Sequence, residues 1–277
     1  MAAEPTPLYV ATRRALLDAL DALADQRAAL ILVGAQAVFL HTGEVDEAIA
    51  TETNDADLAV DPSHLADDPR LDQAFREAGF HLDVNHPQPG SWLSPDGYPV
   101  DLLLPEAVSG RTGGGRSGRI PPHDNMSTRR VRGIEGALVD HAPMLVPALD
   151  AADGRSYTIE VAGPSALLVA KLHKVADREQ DGERSRPRDS HDVFRLLREV
   201  DPPVFVDGFR RMAHSDVSAD VASEALDHLN ALFTAPDGPG SQQVLQAVGQ
   251  LVEEPTLVAA RTSVLANEVL RAIRGTD

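Results

Sequence analysis

At 277 residues, with 43% hydrophobic residues, the chain is long enough for one large domain or two and apolar enough to bury a core. The absence of cysteine excludes disulfides, thiolate zinc sites and a cysteine nucleophile. A formal charge of −18 argues against a broad, sequence-independent nucleic-acid surface, although the charge is uneven: six arginines and one acid lie between residues 109 and 133.

The first residues carry neither a basic stretch nor an apolar one, so no signal peptide is expected. The longest nearly apolar run, residues 28–40, contains Gly34 and Gln36 and is too short to span a bilayer. A cytoplasmic protein with no membrane partner is the expectation. In chain order, residues 8–26 have the three-four apolar spacing of an amphipathic helix. Residues 29–33 read as a buried strand, and Gly34 opens a helix to about 41. The polar stretch 42–54 reads as a loop, 56–61 as a strand ended by Asp61-Pro62-Ser63, and the residues that follow, to about 78, as a helix. A strand at 80–84 precedes a hairpin, 91–94 with 98–104, turning at Pro95-Asp96-Gly97. Residues 109–128, rich in Gly, Arg and Pro, are expected to be mobile. Strands resume at 143–149 and 156–162. From Gly163 the pattern is helical, over 164–178, 188–199, 203–214, 217–234, 241–253 and 255–273, with a charged loop at 179–187.

Three acids stand out against this background. Asp55 and Asp57 open an apolar stretch, and residues i and i+2 of a strand share a face, so their carboxylates project side by side. Asp101 lies inside a second apolar run, Pro99-Val100-Asp101-Leu102-Leu103-Leu104, on the same face as Leu103. Adjacent carboxylates repel, and a divalent cation relieves the repulsion; three of them suit the oxygen-rich coordination of Mg²⁺. Upstream, Leu30-Ile31-Leu32-Val33 runs into Gly34-Ala35-Gln36. Such a bare turn at a helix N-terminus lets phosphate approach free N–H groups.

A strand, a glycine turn opening a helix, an Asp-x-Asp strand and a later single Asp resemble the nucleotidyltransferase superfamily built on the polymerase-beta-like fold. The resemblance implies an α+β fold: a nucleotidyltransferase-like mixed sheet flanked by helices over residues 1–162, then a C-terminal helical domain over 163–277 that completes the active site. It implies Mg²⁺ (or Mn²⁺) held by Asp55, Asp57 and Asp101, with phosphate cradled by Gly34, Ala35 and Gln36. Two departures stand out. Ala35 replaces the usual Gly or Ser and offers no hydroxyl, and residues 43–52 lengthen the gap between turn and acids.

A second segment narrows the resemblance. The two lysines of the chain, Lys171 and Lys174, recur with Arg178 at i, i+3 and i+7 and so share one helix face, and Asp189 and Asp192 share another. A Lys- and Arg-bearing helix, a short loop and an Arg-Asp-x-x-Asp helix resemble the AbiEii / MenT-type group, toxin-like proteins of toxin–antitoxin pairs. That likeness implies nucleotide contact by Lys171, with Lys174, Arg178 and Asp189 near the phosphates, and Asp192 placing the nucleotide or the lysine. It also implies an NTP substrate, an acceptor hydroxyl such as a tRNA 3′ end, and an antitoxin partner. A solvated charged helix is the plainer account of the same residues. A catalytically silent relative that binds a nucleotide or a partner protein is the alternative that Ala35 and the insert motivate.

Other motifs carry less. The His191-Asp192 dipeptide lacks the further His and Asp residues of an HD-type phosphohydrolase. The glycine run 113–118 lacks the closing Lys-Ser/Thr of a Walker loop and is either a flexible lid over substrate or a solvated loop. Trp92 reads as core.

Overall fold

The structure, a computed structural model, describes residues 5–43, 54–84, 87–110, 115–180, 187–248 and 255–275. Helix α1 (Pro7–Ala22) starts where Thr6 accepts a hydrogen bond from the Tyr9 amide and Pro7 presets the first turn. Then follow β1 (Leu30–Val33), α2 (Gly34–Thr42), β2 (Ala56–Val60), α3 (Leu71–Glu77), β3 (His81–Leu82), β4 (Ser91–Leu93), β5 (Pro99–Pro105), β6 (Arg129–Val131), β7 (His141–Pro147) and β8 (Ser156–Ala162). The chain continues as α4 (Pro164–Gln180), α5 (Pro187–Glu199), α6 (Pro202–Ala213), α7 (Ala219–Phe233), α8 (Pro239–Val248) and α9 (Pro255–Arg274).

The strands form one mixed sheet in the order β3-β4-β5-β2-β1-β8-β7, and β6 pairs with β5 beyond the end of β4. The central strands β1 and β2 are buried at every residue, which explains their continuous rather than alternating apolar sequence. The fold is α+β, as the sequence implies, with helices on the sheet and a helical C-terminal half. Strand β8 ends at Ala162 and α4 begins at Pro164, yet a single hydrophobic core runs from Leu30 and Leu58 in the sheet to Leu172, Leu196 and Leu229 in the helices. Helix α2 packs on both α4 and α5 and so ties the glycine turn to the helical half.

Strand β7 closes one end of the sheet. Its even-numbered residues face β8, as the flanking bond from the Ala148 amide to Arg155 shows, so Pro143 and Pro147 sit where outward donors would be. The edge is blunted against pairing with another chain. The free carbonyl of Pro147 accepts instead from buried Arg13 on α1, at 2.9 Å.

Several boundaries differ from the sequence reading. Helix α1 stops at Ala22 and a 3₁₀ turn covers Ala24–Ala29. The helix expected after Ser63 and up to about 78 is confined to Leu71–Glu77. Pro62 and Pro69 lack donors, and the Gln26 side chain satisfies the Ala66 amide and the Ala66 and Pro69 carbonyls instead. Residues 115–128, expected to be mobile, are anchored at a few points: Ile120, His123, Ser127 and Thr128 are buried, and the buried Trp92 donates to the Ser127 carbonyl at 3.1 Å. Within the same stretch the Gly118 amide bonds Thr128. Strand β6 was not anticipated at all, because three residues are too few to show a period. The insert at 44–52, residues 181–186 of the charged loop and Gly113 and Gly114 of the glycine run lie outside the described residues.

Candidate active site

Two of the three acids meet through strand register. Val33, the last residue of β1, pairs with Asp57, and Asp57 pairs with Asp101 across parallel strands β2 and β5. Adjacent strands lie about 4.8 Å apart, so the two carboxylates emerge side by side on one face. Asp55 stands just before β2, half-buried. The charges feel one another. Asp57 first, and burial second, push the Asp55 carboxyl up to about 6 against the pull of Lys174 and Lys171. Burial first, then Asp57, raises Asp101, with Arg129 opposing.

Gly34 makes this convergence possible. Its φ is +72°, and a Cβ there would sit 2.1 Å from Asp57 Oδ2. Only glycine lets helix α2 start against that carboxylate. Ala35 adds no polar group, and the Gln36 side chain does not replace the missing hydroxyl. Gln36 is buried; its Oε1 accepts from Arg13 Nε at 2.8 Å, and its amide donates to the Thr12 and Asp55 carbonyls, both at 3.3 Å. It braces the backbone of Asp55 from behind. Buried Arg13, which the sequence reading passed over, is the strut behind Gln36. It sits in an ordinary amphipathic helix, and nothing local marks it.

The second cluster faces the first across a cavity of about 160 Å³ bounded by Gly34, Asp57, Arg129, Arg132, Lys171 and Lys174, with an apolar floor that includes Leu103 and Ile134. This is smaller than the roughly 300–1,000 Å³ of a typical ligand pocket. Each α4 cation is paired, and Lys171 and Arg178 are largely shielded from solvent. Lys171 is buried, 2.9 Å from Asp189 and 2.6 Å from Asp192. Lys174 lies 3.5 Å from Asp189, and Arg178 bonds the same carboxylate. Burial opposes the Lys171 charge, yet Asp192 and Asp189 hold its pKa well above the ordinary lysine value. Burial likewise opposes the Asp189 charge, and Lys171, Lys174 and Arg178 outweigh it and hold the carboxyl far below its usual range. Within this ion-pair cluster three cations face two acids, Asp177 adds a further acid on the cavity wall, and of the three cations only Lys174, 44% exposed, is open to solvent.

Arg129 is the other residue that the sequence reading missed as a site residue. Counted there only as part of a basic stretch, it bonds Asp101 Oδ2 from β6. Its neighbours in that stretch are also matched, Arg130 to Glu106 and Arg132 to Glu224. Among the described residues no three His, Cys, Asp or Glu side chains stand close enough to hold an ion as they lie. The donor set nevertheless suits a hard divalent cation: all ligands are carboxylate, two of them repel, and Asp101 Oδ1 is buried without a well-formed hydrogen bond.

A family model described as Nucleotidyltransferase matches residues 12–214, which include every residue of this site. The chain belongs to that nucleotidyltransferase family. Comparison with curated proteins finds no match. Among solved structures, this nucleotidyltransferase is similar to a protein from H. pylori described as a candidate nucleotidyltransferase, with 14% identity, a TM-score of 0.49 and coverage of 98% of this chain and 99% of that one. Among the described residues of the nucleotidyltransferase, no helix is long and apolar enough to cross a membrane.

Proposed function

We propose that this nucleotidyltransferase moves a nucleoside monophosphate from an NTP to an acceptor hydroxyl, with Mg²⁺ or Mn²⁺ held by Asp55, Asp57 and Asp101. The observation that carries the reading is Asp57 in register with Asp101 while pressed against the glycine start of α2. A bound cation would supply charge neutralisation for the triphosphate and the transferring phosphoryl group. The chain's own residues do the rest. Gly34 and Ala35 leave the N-terminus of α2 bare for phosphate. Lys174 meets phosphate from the opposite wall, while Lys171, fixed between Asp189 and Asp192, offsets the charge of those acids behind it. Asp101 takes the proton of the acceptor hydroxyl as its oxygen bonds to the α-phosphorus and pyrophosphate leaves with the electron pair of the broken P–O bond.

The acceptor we favour is the 3′ hydroxyl of a tRNA, in a toxin-like role answered by an antitoxin protein. The AbiEii / MenT-like segment from Lys171 to Asp192 supports that choice; a protein hydroxyl or a small molecule is the runner-up. The test is incubation with Mg²⁺, each labelled NTP, and total RNA or lysate. Label on tRNA supports the first acceptor, and label on protein the second. Asp57→Asn should abolish transfer with the circular dichroism unchanged, and undiminished turnover in that variant removes the metal assignment. Nucleotide binding without any transfer favours a silent relative.

A further inference from the structure

The carboxylate site is closed by one of the chain's own cations. Asp101 has two oxygens: Oδ2 accepts from Arg129, and Oδ1 is buried without a well-formed hydrogen bond, the Ser91 hydroxyl of the neighbouring strand being the other polar group on this carboxylate. Both side chains are mostly buried, Arg129 23% and Asp101 10% exposed. The Arg129 backbone cannot move easily. It pairs with Leu103 in β6, and Gly90 lies so close that a Cβ there would be 2.3 Å from the Arg129 amide nitrogen. The long side chain is the part free to move, and it borders the same cavity as Gly34, Asp57 and Lys174.

A carboxylate oxygen that accepts from a guanidinium is a poor ligand for a divalent cation, because the two positive charges compete for it. A guanidinium released into a cavity beside a helix N-terminus and a lysine has an obvious new partner, since its fork matches phosphate oxygens. We infer that Arg129 is the counter-ion of Asp101 in the cation-free protein and that cation binding hands its guanidinium to the phosphate chain of the nucleotide. Cation and nucleotide then bind cooperatively, each making the other's place. The inference rests on the proposed reading of the three acids as a cation site.

Arg129→Gln separates the two halves, because they respond with opposite sign. Without nucleotide, Mn²⁺ binding followed by electron paramagnetic resonance should tighten about tenfold, the worth of one charge-assisted hydrogen bond removed from a ligand. In saturating Mn²⁺, binding of α,β-methylene NTP analogues should weaken by about tenfold or more for the same reason. Arg129→Lys keeps the charge without the fork. It should bind Mn²⁺ as the parent does and the analogues with intermediate affinity, and it serves where the glutamine variant does not fold. Unchanged or weaker Mn²⁺ binding in Arg129→Gln, or analogue binding equal to the parent's, overturns the inference. Asp57→Asn distinguishes the deeper failure: if the parent binds no Mn²⁺, or Asp57→Asn binds it equally well, the cation-site reading fails along with the inference. If Asp57→Asn loses Mn²⁺ while Arg129→Gln gains nothing, only the inference fails.

Discussion

Gly34→Ala puts the glycine turn to the sharpest test. Alanine there must adopt φ +72° and place Cβ 2.1 Å from Asp57 Oδ2, when such contacts do not fall below 3.0 Å. The backbone conformation costs about 1–2 kcal/mol, and crowding adds about 1–3 kcal/mol. Both fall within the roughly 5–15 kcal/mol stability of an ordinary domain, so the variant folds. The carboxylate has to retreat by about 1 Å, and a displacement of that size at a reacting centre costs on the order of a hundredfold in rate. Gly97→Ala is the matched control. Gly97 also has positive φ, +83°, but its added Cβ would meet nothing within 4 Å. It should lose about 1–2 kcal/mol and no activity. The assay compares initial rates of labelled nucleotide transfer at a temperature below both melting transitions, with melting curves for each protein. If Gly34→Ala loses no more activity than Gly97→Ala, the packing of Asp57 against the helix start has no bearing on the chemistry.

The two lysines should part company. Lys171→Met removes the ion-pair partner of buried Asp192, leaves Asp189 to Arg178 and Lys174, and should cost about 3–5 kcal/mol in chemical denaturation, whereas Lys174→Met, at an exposed position, should leave stability within about 0.5 kcal/mol and weaken NTP binding. Gln36→Leu removes the acceptor of the buried Arg13 Nε and the brace of Asp55, and urea titration should show a loss of about 2–3 kcal/mol. His191, whose pKa burial pushes down from 6.5 to about 4, is neutral in the folded protein and takes up a proton more readily when unfolded. Its contribution is therefore complete above pH 6.5 and is lost as pH falls towards 4, about 3 kcal/mol in all. Asp55, with its raised pKa, works in the opposite sense, so the measurement is the stability difference between the parent and His191→Leu at each pH. A difference that does not change between pH 7 and 4 refutes the assignment.

Much of the fold was legible because it depends on local chemistry. The continuous apolar runs of β1 and β5, the hairpin at Pro95-Asp96-Gly97, the glycine start of α2 and the proline start of α4 follow from side-chain pattern and backbone freedom. What the pattern hid was the destination of polar groups. Gln26 makes the residues after Pro62 a loop by taking their backbone partners from forty residues away, and the stretch 115–128 is anchored where Trp92 and Thr128 hold it. The same holds at the site. The spacing of Asp55 and Asp57 brought two carboxylates into view, although β2 starts only at Ala56 and Asp55 stands before it, and Lys171, Lys174 and Arg178 were visibly one stripe.

By itself the sequence determined which residues carry the charge and which strand or helix face each belongs to, because period and glycine placement are properties of neighbours along the chain. Only the tertiary structure decided which charges cancel. It set Asp101 beside Asp57 and under Arg129, closed Lys171 between Asp189 and Asp192, and turned Gln36 away from the cavity towards Arg13. Electrostatic partnership depends on distance in space and on burial, and neither is written in the spacing of residues along a strand or helix.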